Sequence, residues 1–323
     1  MSAPAVPAKR AVCLAALTLF LWSVPGICAQ DVVRTGNPTE RGLTEDDFPR
    51  VKQLAENVYT YEALTGPADD RYTTNSMFVV TDGGVLVADG QESPEETANL
   101  VAEIGKITDE AITYVVICSD HGDHTAGNVS FPQDAEFIAH PNSLANLERS
   151  ANNPQSDSDA PPIVMPTTLV TDKHTLVLGD TAIEILFLGR AHTGGDLFVW
   201  LPDEKILFTT EVFLNHMFAG YRSAYPTEWL AAMDKAESLN ADILVPGHGF
   251  IDDASILKEE WIAYKDHLQV VLDEVTRLHA VGLTVEEAIE QADFGKYNDW
   301  SGADSQGPIG IRRIYAELNG ELR

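Results

Sequence analysis

Cysteine is scarce: there are three in 323 residues, and two of them, Cys13 and Cys28, fall within the first 30 positions. Beyond them only Cys118 remains, so the rest of the chain cannot close an internal disulfide, which excludes a disulfide-framed scaffold. Cys118 ends the apolar run Tyr114-Val115-Val116-Ile117 and reads as a buried strand residue rather than a nucleophile. Basic residues are also few, 21 against 50 acidic ones, for a formal net charge of −29. A surface of that sign repels nucleic acid and anionic membranes, and both are excluded as partners. After Val24 no apolar run approaches the roughly 20 residues needed to span a bilayer.

The first positions are a separate matter. Lys9 and Arg10 precede a short apolar run from Ala11 to Val24, Pro25-Gly26 breaks it, and Ile27-Cys28-Ala29 ends in a small residue. That order predicts a signal peptide over residues 1–29 and a periplasmic or secreted protein. The bulky Ile27 argues against a lipid-modified Cys28. Cleavage removes Lys9 and Arg10 and no acid, so the mature chain is more acidic still.

What is present is ordinary for a globular protein, with 44% apolar and 22% charged residues. Strands are expected at 58–61, 77–80, 85–88, 113–118 and 135–139, and two hairpin-like units at 174–188 and 197–214. Ser93, Pro94 and Glu96 mark a helix start with a capping box. Further helices are expected near 142–148 and over 227–239, the latter leading into a strand at 242–245. Helices between strands in both halves fit packed sheets with helices outside. From Leu257 the pattern changes: Trp261, Tyr264, Leu268, Val271, Val275 and Leu278 form a helical stripe ended by Gly282, and Thr284 with Glu287 boxes a further helix. The expected organisation is therefore a main α/β domain over 30–252 and a C-terminal helical cap over 253–323.

Chemistry concentrates at three strand ends. Ser119-Asp120-His121-Gly122-Asp123-His124 follows the strand ending at Cys118. Gly189-Arg190-Ala191-His192-Thr193-Gly194-Gly195-Asp196 and Pro246-Gly247-His248-Gly249 follow two others. A histidine beside a glycine is usually a turn residue. Three loops carrying imidazole, in this order, are how a scaffold gathers a metal site from distant parts of a chain.

On these segments the chain resembles the metallo-β-lactamase superfamily. Its signature is His-x-His-x-Asp-His after a strand, then Gly-x-x-His-Thr-x-Gly-Asp, a strand ending in Gly-Asp, and a final Gly-His-Gly. Val87-Ala88-Asp89-Gly90 also matches the early strand-end aspartate, which is structural in that family. The resemblance runs from about residue 50 to 255. It implies an αββα sandwich and one or two zinc ions in the groove between sheets, with iron or manganese also accommodated by nitrogen and oxygen donors. Two departures stand out: Ser119 replaces the first histidine, and Glu211, after Thr210, stands where the family has a bridging aspartate. Carried over, the first metal position keeps His121 and His192, while the second keeps Asp123, His124 and His248, with Glu211 as a further ligand.

The function implied is a metal-dependent hydrolase in which metal-bound hydroxide attacks an ester, lactone, amide or related carbonyl bond of a small molecule. Asp123 would orient the water, and if the first metal position stays empty, His121 and His192 are left as candidate bases or hydrogen-bond donors. The rival reading is a catalytically degenerate member that binds a ligand or partner in the groove, for which Ser119 and Glu211 speak. Leu64 to Thr74, where that family often has a mobile flap, and the loop 150–166 are expected walls, and the aromatic segment Phe213 to Tyr225 reads either as a further wall or as packing against the helical cap. Arg190 and Arg222 are the nearest cations for an anionic substrate group.

Overall fold

The computed structural model describes residues 1–2, 32–67, 71–153 and 160–322. Apart from its first two residues, the signal peptide read over 1–29 lies outside the described residues, as do Asp69 and Asp70 of the expected flap and positions 154–159 of the expected loop.

Two sheets arise from two hydrophobic alternations. The first has seven strands in sequence order: β1 (Arg50–Ala55), β2 (Val58–Thr65), β3 (Tyr72–Thr81), β4 (Gly84–Ala88), β5 (Ile112–Val116), β6 (Glu136–Ala139) and β7 (Thr168–Leu169). Strands β1 to β4 pair antiparallel and β4 to β7 parallel. The second has five strands: β8 (Lys173–Leu178), β9 (Thr181–Phe187), β10 (Leu197–Leu201), β11 (Ile206–Phe208) and β12 (Ile243–Val245), with β12 added parallel to β11. Strand side chains alternate between faces, so β4 sorts its residues cleanly. Leu86 and Ala88 join Met77, Val79 and Val116 in the core shared with Ile183, Leu197 and Val199 of the second sheet. Val85 and Val87 turn the other way, toward Leu100, Ile104 and Leu147.

Those three belong to the outer helices α1 (Pro94–Ile107) and α3 (Pro141–Ala151); a single turn, α2 (Gly122–Thr125), lies between them in sequence. At the start of α1, Ser93 Oγ accepts from Glu96 N at 3.1 Å as expected. The Glu96 carboxylate does not close the box; it accepts from the Tyr61 hydroxyl instead. A buried phenol needs an acceptor, and that need outweighs a surface cap.

The other outer layer is α4 (Pro226–Glu237) and the long α5 (Ala254–Ala280), followed by α6 (Val285–Gln291) and α7 (Ala303–Leu318). Trp229, Met233, Trp261, Tyr264 and Leu268 join the same core as the second sheet. The architecture is thus αββα with a C-terminal helical extension. Helix α5 ends before Gly282, whose φ is +85°, and the Thr284–Glu287 box closes in both directions. Helix α7 has no counterpart in the sequence reading, because Gly307, Pro308 and Gly310 look like breakers. Gly310 has a packing reason instead: a Cβ there would meet the Tyr221 ring at 2.9 Å.

The lead before β1 is held by several ion pairs, of which the most buried joins Arg41 to Asp252. Arg41 donates to both oxygens of Asp252 at 2.7 and 2.8 Å, and its guanidinium lies 4.0 Å from the centre of the Phe250 ring. Asn215 donates to the same Asp252 at 2.9 Å. A planar, two-pronged contact of this kind fixes orientation as well as charge. It holds residues 36–37 beside the loop that carries His248.

Candidate metal centre

Every residue expected as a ligand sits shortly beyond a strand end, where backbone is free to turn while the strand behind it is fixed. Asp89, after β4, is the junction. Its Oδ1 accepts from Cys118 N at 2.7 Å and Ser119 N at 3.2 Å, and its Oδ2 accepts from Thr210 Oγ1 at 2.6 Å. One buried carboxylate therefore ties the ends of β4, β5 and β11 together. Asp89 and Thr210 both have positive φ, 62° and 45°. For a β-branched threonine that is an outlier, and such strain persists where surrounding structure over-determines it. Gly247 is required by close approach: a Cβ there would lie 2.4 Å from the Thr210 carbonyl carbon.

The side chains expected as ligands converge in two groups that meet at Glu211. Asp123, His124, Glu211 and His248 form one, and His121, His192 and Glu211 the other, with donor atoms in each within 4.8 Å of one another. In the first, His124 Nε2 and His248 Nε2 are 3.3 Å apart, His248 Nε2 is 3.3 Å from Asp123 Oδ2, and 3.2 Å from Glu211 Oε1. In the second, His192 Nε2 is 3.2 Å from His121 Nδ1 and 3.0 Å from Glu211 Oε1, while His121 Nδ1 is 2.8 Å from Glu211 Oε2.

Those separations test the fit to a metal. Bonds of 2.0–2.1 Å in a tetrahedron place donor atoms about 3.3 Å apart. The three separations around His248 Nε2 in the first group match that edge length, His124 Nε2 stands 4.0 Å from Glu211 Oε2, and the second group is slightly tighter. Outer contacts also fix which nitrogen points inward. His248 Nδ1 lies 2.9 Å from Thr73 O, His124 Nδ1 lies 3.1 Å from Asp89 Oδ2, and His121 Nε2 lies 3.2 Å from Ser223 Oγ. For His248 and His121, a ring nitrogen donating outward leaves the inner one with its lone pair, and the His124 ring is held by the charge of Asp89. Nitrogen lone pairs and carboxylate oxygens aimed at one point repel unless a proton or a metal ion lies among them. The donor set fits a metal of the zinc type.

Electrostatics agree. Burial alone would push His121 and His248 toward neutrality. The carboxylates outweigh it, lifting His121 to about 9 through Glu211 and His248 to about 10 through Asp123 and Glu211. Against burial, the hydrogen bond with His248 holds Asp123 below its usual range, and His121 and His192 hold Glu211 well below its own. The carboxylates are charged and the centre attracts positive charge.

Ser119 stands in the site but offers no ligand. Its hydroxyl donates to Glu211 Oε2 and accepts from His121 N at 3.3 Å. Sequence reasoning missed several participants. Tyr72, the first residue of β3, donates to Asp123 Oδ2 at 3.3 Å and sets its ring edge against His248. It falls in the segment expected as a flap, yet Leu64, Thr65 and Tyr72 to Thr74 are strand residues, which corrects that expectation. Of the described residues, Gly66, Pro67 and Arg71 lie between the strands.

A cavity of about 490 Å³ opens over the centre. Beyond the ligand residues, its walls include Asn37 from the lead, Met217 and Phe218 from the aromatic segment, and Ser305 and Gln306 from α7. Phe213 and Tyr221 of that segment are buried packing residues, so it serves both roles. A second cavity of about 470 Å³ adjoins it and is lined by Asp120, Arg149, Tyr225, Arg313 and Glu321. His121, Gly122 and Arg222 line both. Arg190 is bound to Glu228 and lies over the Tyr225 ring, away from the centre. Arg222 has no acidic partner among the described residues.

Fold and site together define an αββα scaffold with a candidate metal centre, and comparison with known proteins places it. The chain belongs to the metallo-beta-lactamase superfamily, whose family model matches residues 69–248. It is 23% identical over 213 residues to a metallo-beta-lactamase type 2 of Bacillus sp. (strain 170), covering 64% of this chain and 79% of that one. It is 22% identical over 252 residues to a linear primary-alkylsulfatase of Pseudomonas sp. (strain ATCC 19151), spanning 48% of that protein's length and 64% of its own. A metallo-beta-lactamase from Pontibacter korlensis superposes with a TM-score of 0.57 at 19% identity, over 65% of this chain and 96% of that one. That likeness speaks for the fold alone.

Proposed function

We propose that the protein is a metal-dependent hydrolase of small molecules, cleaving an ester, lactone, amide or related carbonyl bond. The observation that carries this reading is the donor geometry: inward-facing nitrogens and carboxylate oxygens at tetrahedral edge lengths, each of three imidazoles braced on its outer side. Asp123, His124 and His248 would hold one cation, His121 and His192 a second, with Glu211 reaching both. A zinc-type ion held there supplies Lewis acidity and lowers the pKa of a water molecule. The chain's own groups do the rest. Asp123, fixed by Tyr72 and His248, is placed to orient a water and hold its proton. His121 borders both cavities and is placed to face a substrate.

As part of the same proposal, residues 1–29 are an export signal that puts this chemistry in the periplasm or outside the cell. Residues 253–323 act as a cap whose α7 supplies a polar wall; the position of Ser305 and Gln306 at the cavity supports that part. Arg222, between the two cavities and without an acidic partner among the described residues, favours a substrate with an anionic group on that side.

The loss of an imidazole at Ser119 favours a second reading, a member that binds in the groove without turnover. The test is hydrolysis of a panel of esters, lactones, β-lactams and sulfate esters after loading with zinc, iron or manganese. Metal-dependent turnover of any of them, abolished in His248→Ala, supports the hydrolase. Tight metal binding with ligand binding and no turnover across the panel supports the rival.

A further inference from the structure

We infer that Ser119 and Glu211 act as one unit, in which the serine hydroxyl positions the glutamate as a bridge and so preserves a two-cation centre despite the missing imidazole. This rests on the metal-dependent reading above and goes beyond it in fixing the number of cations and the residue that secures the second.

The two departures from the family pattern touch each other. Ser119 is fully buried and Glu211 is 4% exposed, and the hydroxyl donates to Glu211 Oε2. The hydroxyl's own direction is set, because it accepts from His121 N while Ser119 N is held by Asp89. A serine in place of an imidazole leaves space, and the longer arm of glutamate, by about one C–C bond of 1.5 Å, fills it. The terminal torsion of a glutamate is broad, so its carboxylate needs an external contact to select one orientation. Ser119 supplies that contact on Oε2.

The consequence appears on the other oxygen. Glu211 Oε1 lies 3.0 Å from His192 Nε2 and 3.2 Å from His248 Nε2, nitrogens that belong to different donor groups. One carboxylate oxygen thus completes both groups at once. Without the hydroxyl, the carboxylate is free to turn toward either group, and the group of His121 and His192, which has no carboxylate of its own, loses its third donor. Ser119 is therefore a positioning residue, acting through Glu211 and not on a cation.

The test counts metal. Wild type, Ser119→Ala, Ser119→Thr and Glu211→Asp are dialysed against buffered Zn²⁺ and against Co²⁺; metal per chain is measured by elemental analysis, and cobalt coordination by its electronic spectrum. The inference expects two equivalents in wild type and in Ser119→Thr, which keeps the hydroxyl. Ser119→Ala should hold one equivalent unchanged and bind the other about 10- to 100-fold more weakly, the usual effect of losing an outer support. Glu211→Asp, whose shorter arm cannot reach Ser119 and both histidines together, should show the same selective loss even if Ser119→Ala fails to fold. Equal affinities in wild type and Ser119→Ala overturn the inference. A single equivalent in wild type also overturns it while leaving the hydrolase reading standing; no bound metal in wild type overturns both.

Discussion

The two donor groups of the centre share Glu211 but are built differently. Around His124 and His248 the supports are backbone and buried carboxylate: Thr73 O behind one ring and Asp89 behind the other. Both rings are closed to solvent, at 0% and 4% exposure. Around His121 the support is a serine hydroxyl beside an exposed arginine, and the side chain is 24% exposed at the mouth of two cavities. The two rings of the first group are locked from behind by the sheets, and His121 makes the second the more open, although Asp123, its side chain 21% exposed, and His248 also line the larger cavity. Of the two departures from the family pattern, Ser119 stands beside His121 of the open group, and Glu211 is shared by both.

The comparison is sharpened most by removing one ring from each group. His248→Ala should weaken metal binding by more than about 100-fold, beyond what an outer support contributes. His121→Ala should cost one equivalent and leave the other unchanged by elemental analysis. Loss of both ions in both variants would mean the groups are not separable.

Next in size is the brace. Asp89→Ala leaves the buried N–H groups of Cys118 and Ser119 without their acceptor, at about 1–3 kcal/mol each. It also frees His124, for a 10- to 100-fold loss of metal affinity. Chemical denaturation and metal titration of the same variant should show both losses. Full stability with weakened metal binding would reduce Asp89 to an outer support only.

Arg222→Ala is smaller and acts only on the open side. For a substrate that the panel identifies, KM should rise about tenfold, near 1.4 kcal/mol, with kcat within a factor of two. A change in kcat alone would place Arg222 in the chemistry instead of in binding.

A separate effect, on stability alone, lies away from both groups. His267 is buried among Phe218, Tyr297 and Trp300, and neither ring nitrogen has a hydrogen-bond partner among the described residues. Burial pushes its pKa down to about 3. Below an unfolded value near 6.5 the unfolded chain takes up a proton that the folded chain refuses, so stability falls as pH drops from about 6.5 toward 3. His267→Phe should flatten that acid limb in urea titrations at pH 7 and pH 5. An unchanged limb would put acid sensitivity elsewhere.

Much of this was legible in the sequence because it is written in short range. Strand alternation, the Ser93 and Thr284 caps and the three His-Gly loops each depend on neighbours within a few positions. The closed donor group, Asp123, His124 and His248, was legible in the same way. What escaped depends on distant partners. Tyr72 looks like loop polarity until β3 brings it to Asp123. Helix α7 hides behind Gly307 and Pro308 although it supplies Ser305 and Gln306 to the cavity. Ser119 and Glu211 read as two separate losses, and only their contact across 92 positions makes them one arrangement.

The central claim is that the centre holds cations, and metal content of the wild-type chain, exported and purified without chelator, tests it most directly. The account predicts at least one tightly held equivalent of zinc, iron or manganese, and two once the protein is saturated. No metal on the purified chain and none taken up on titration would contradict it, and would leave the fold as a scaffold for binding alone.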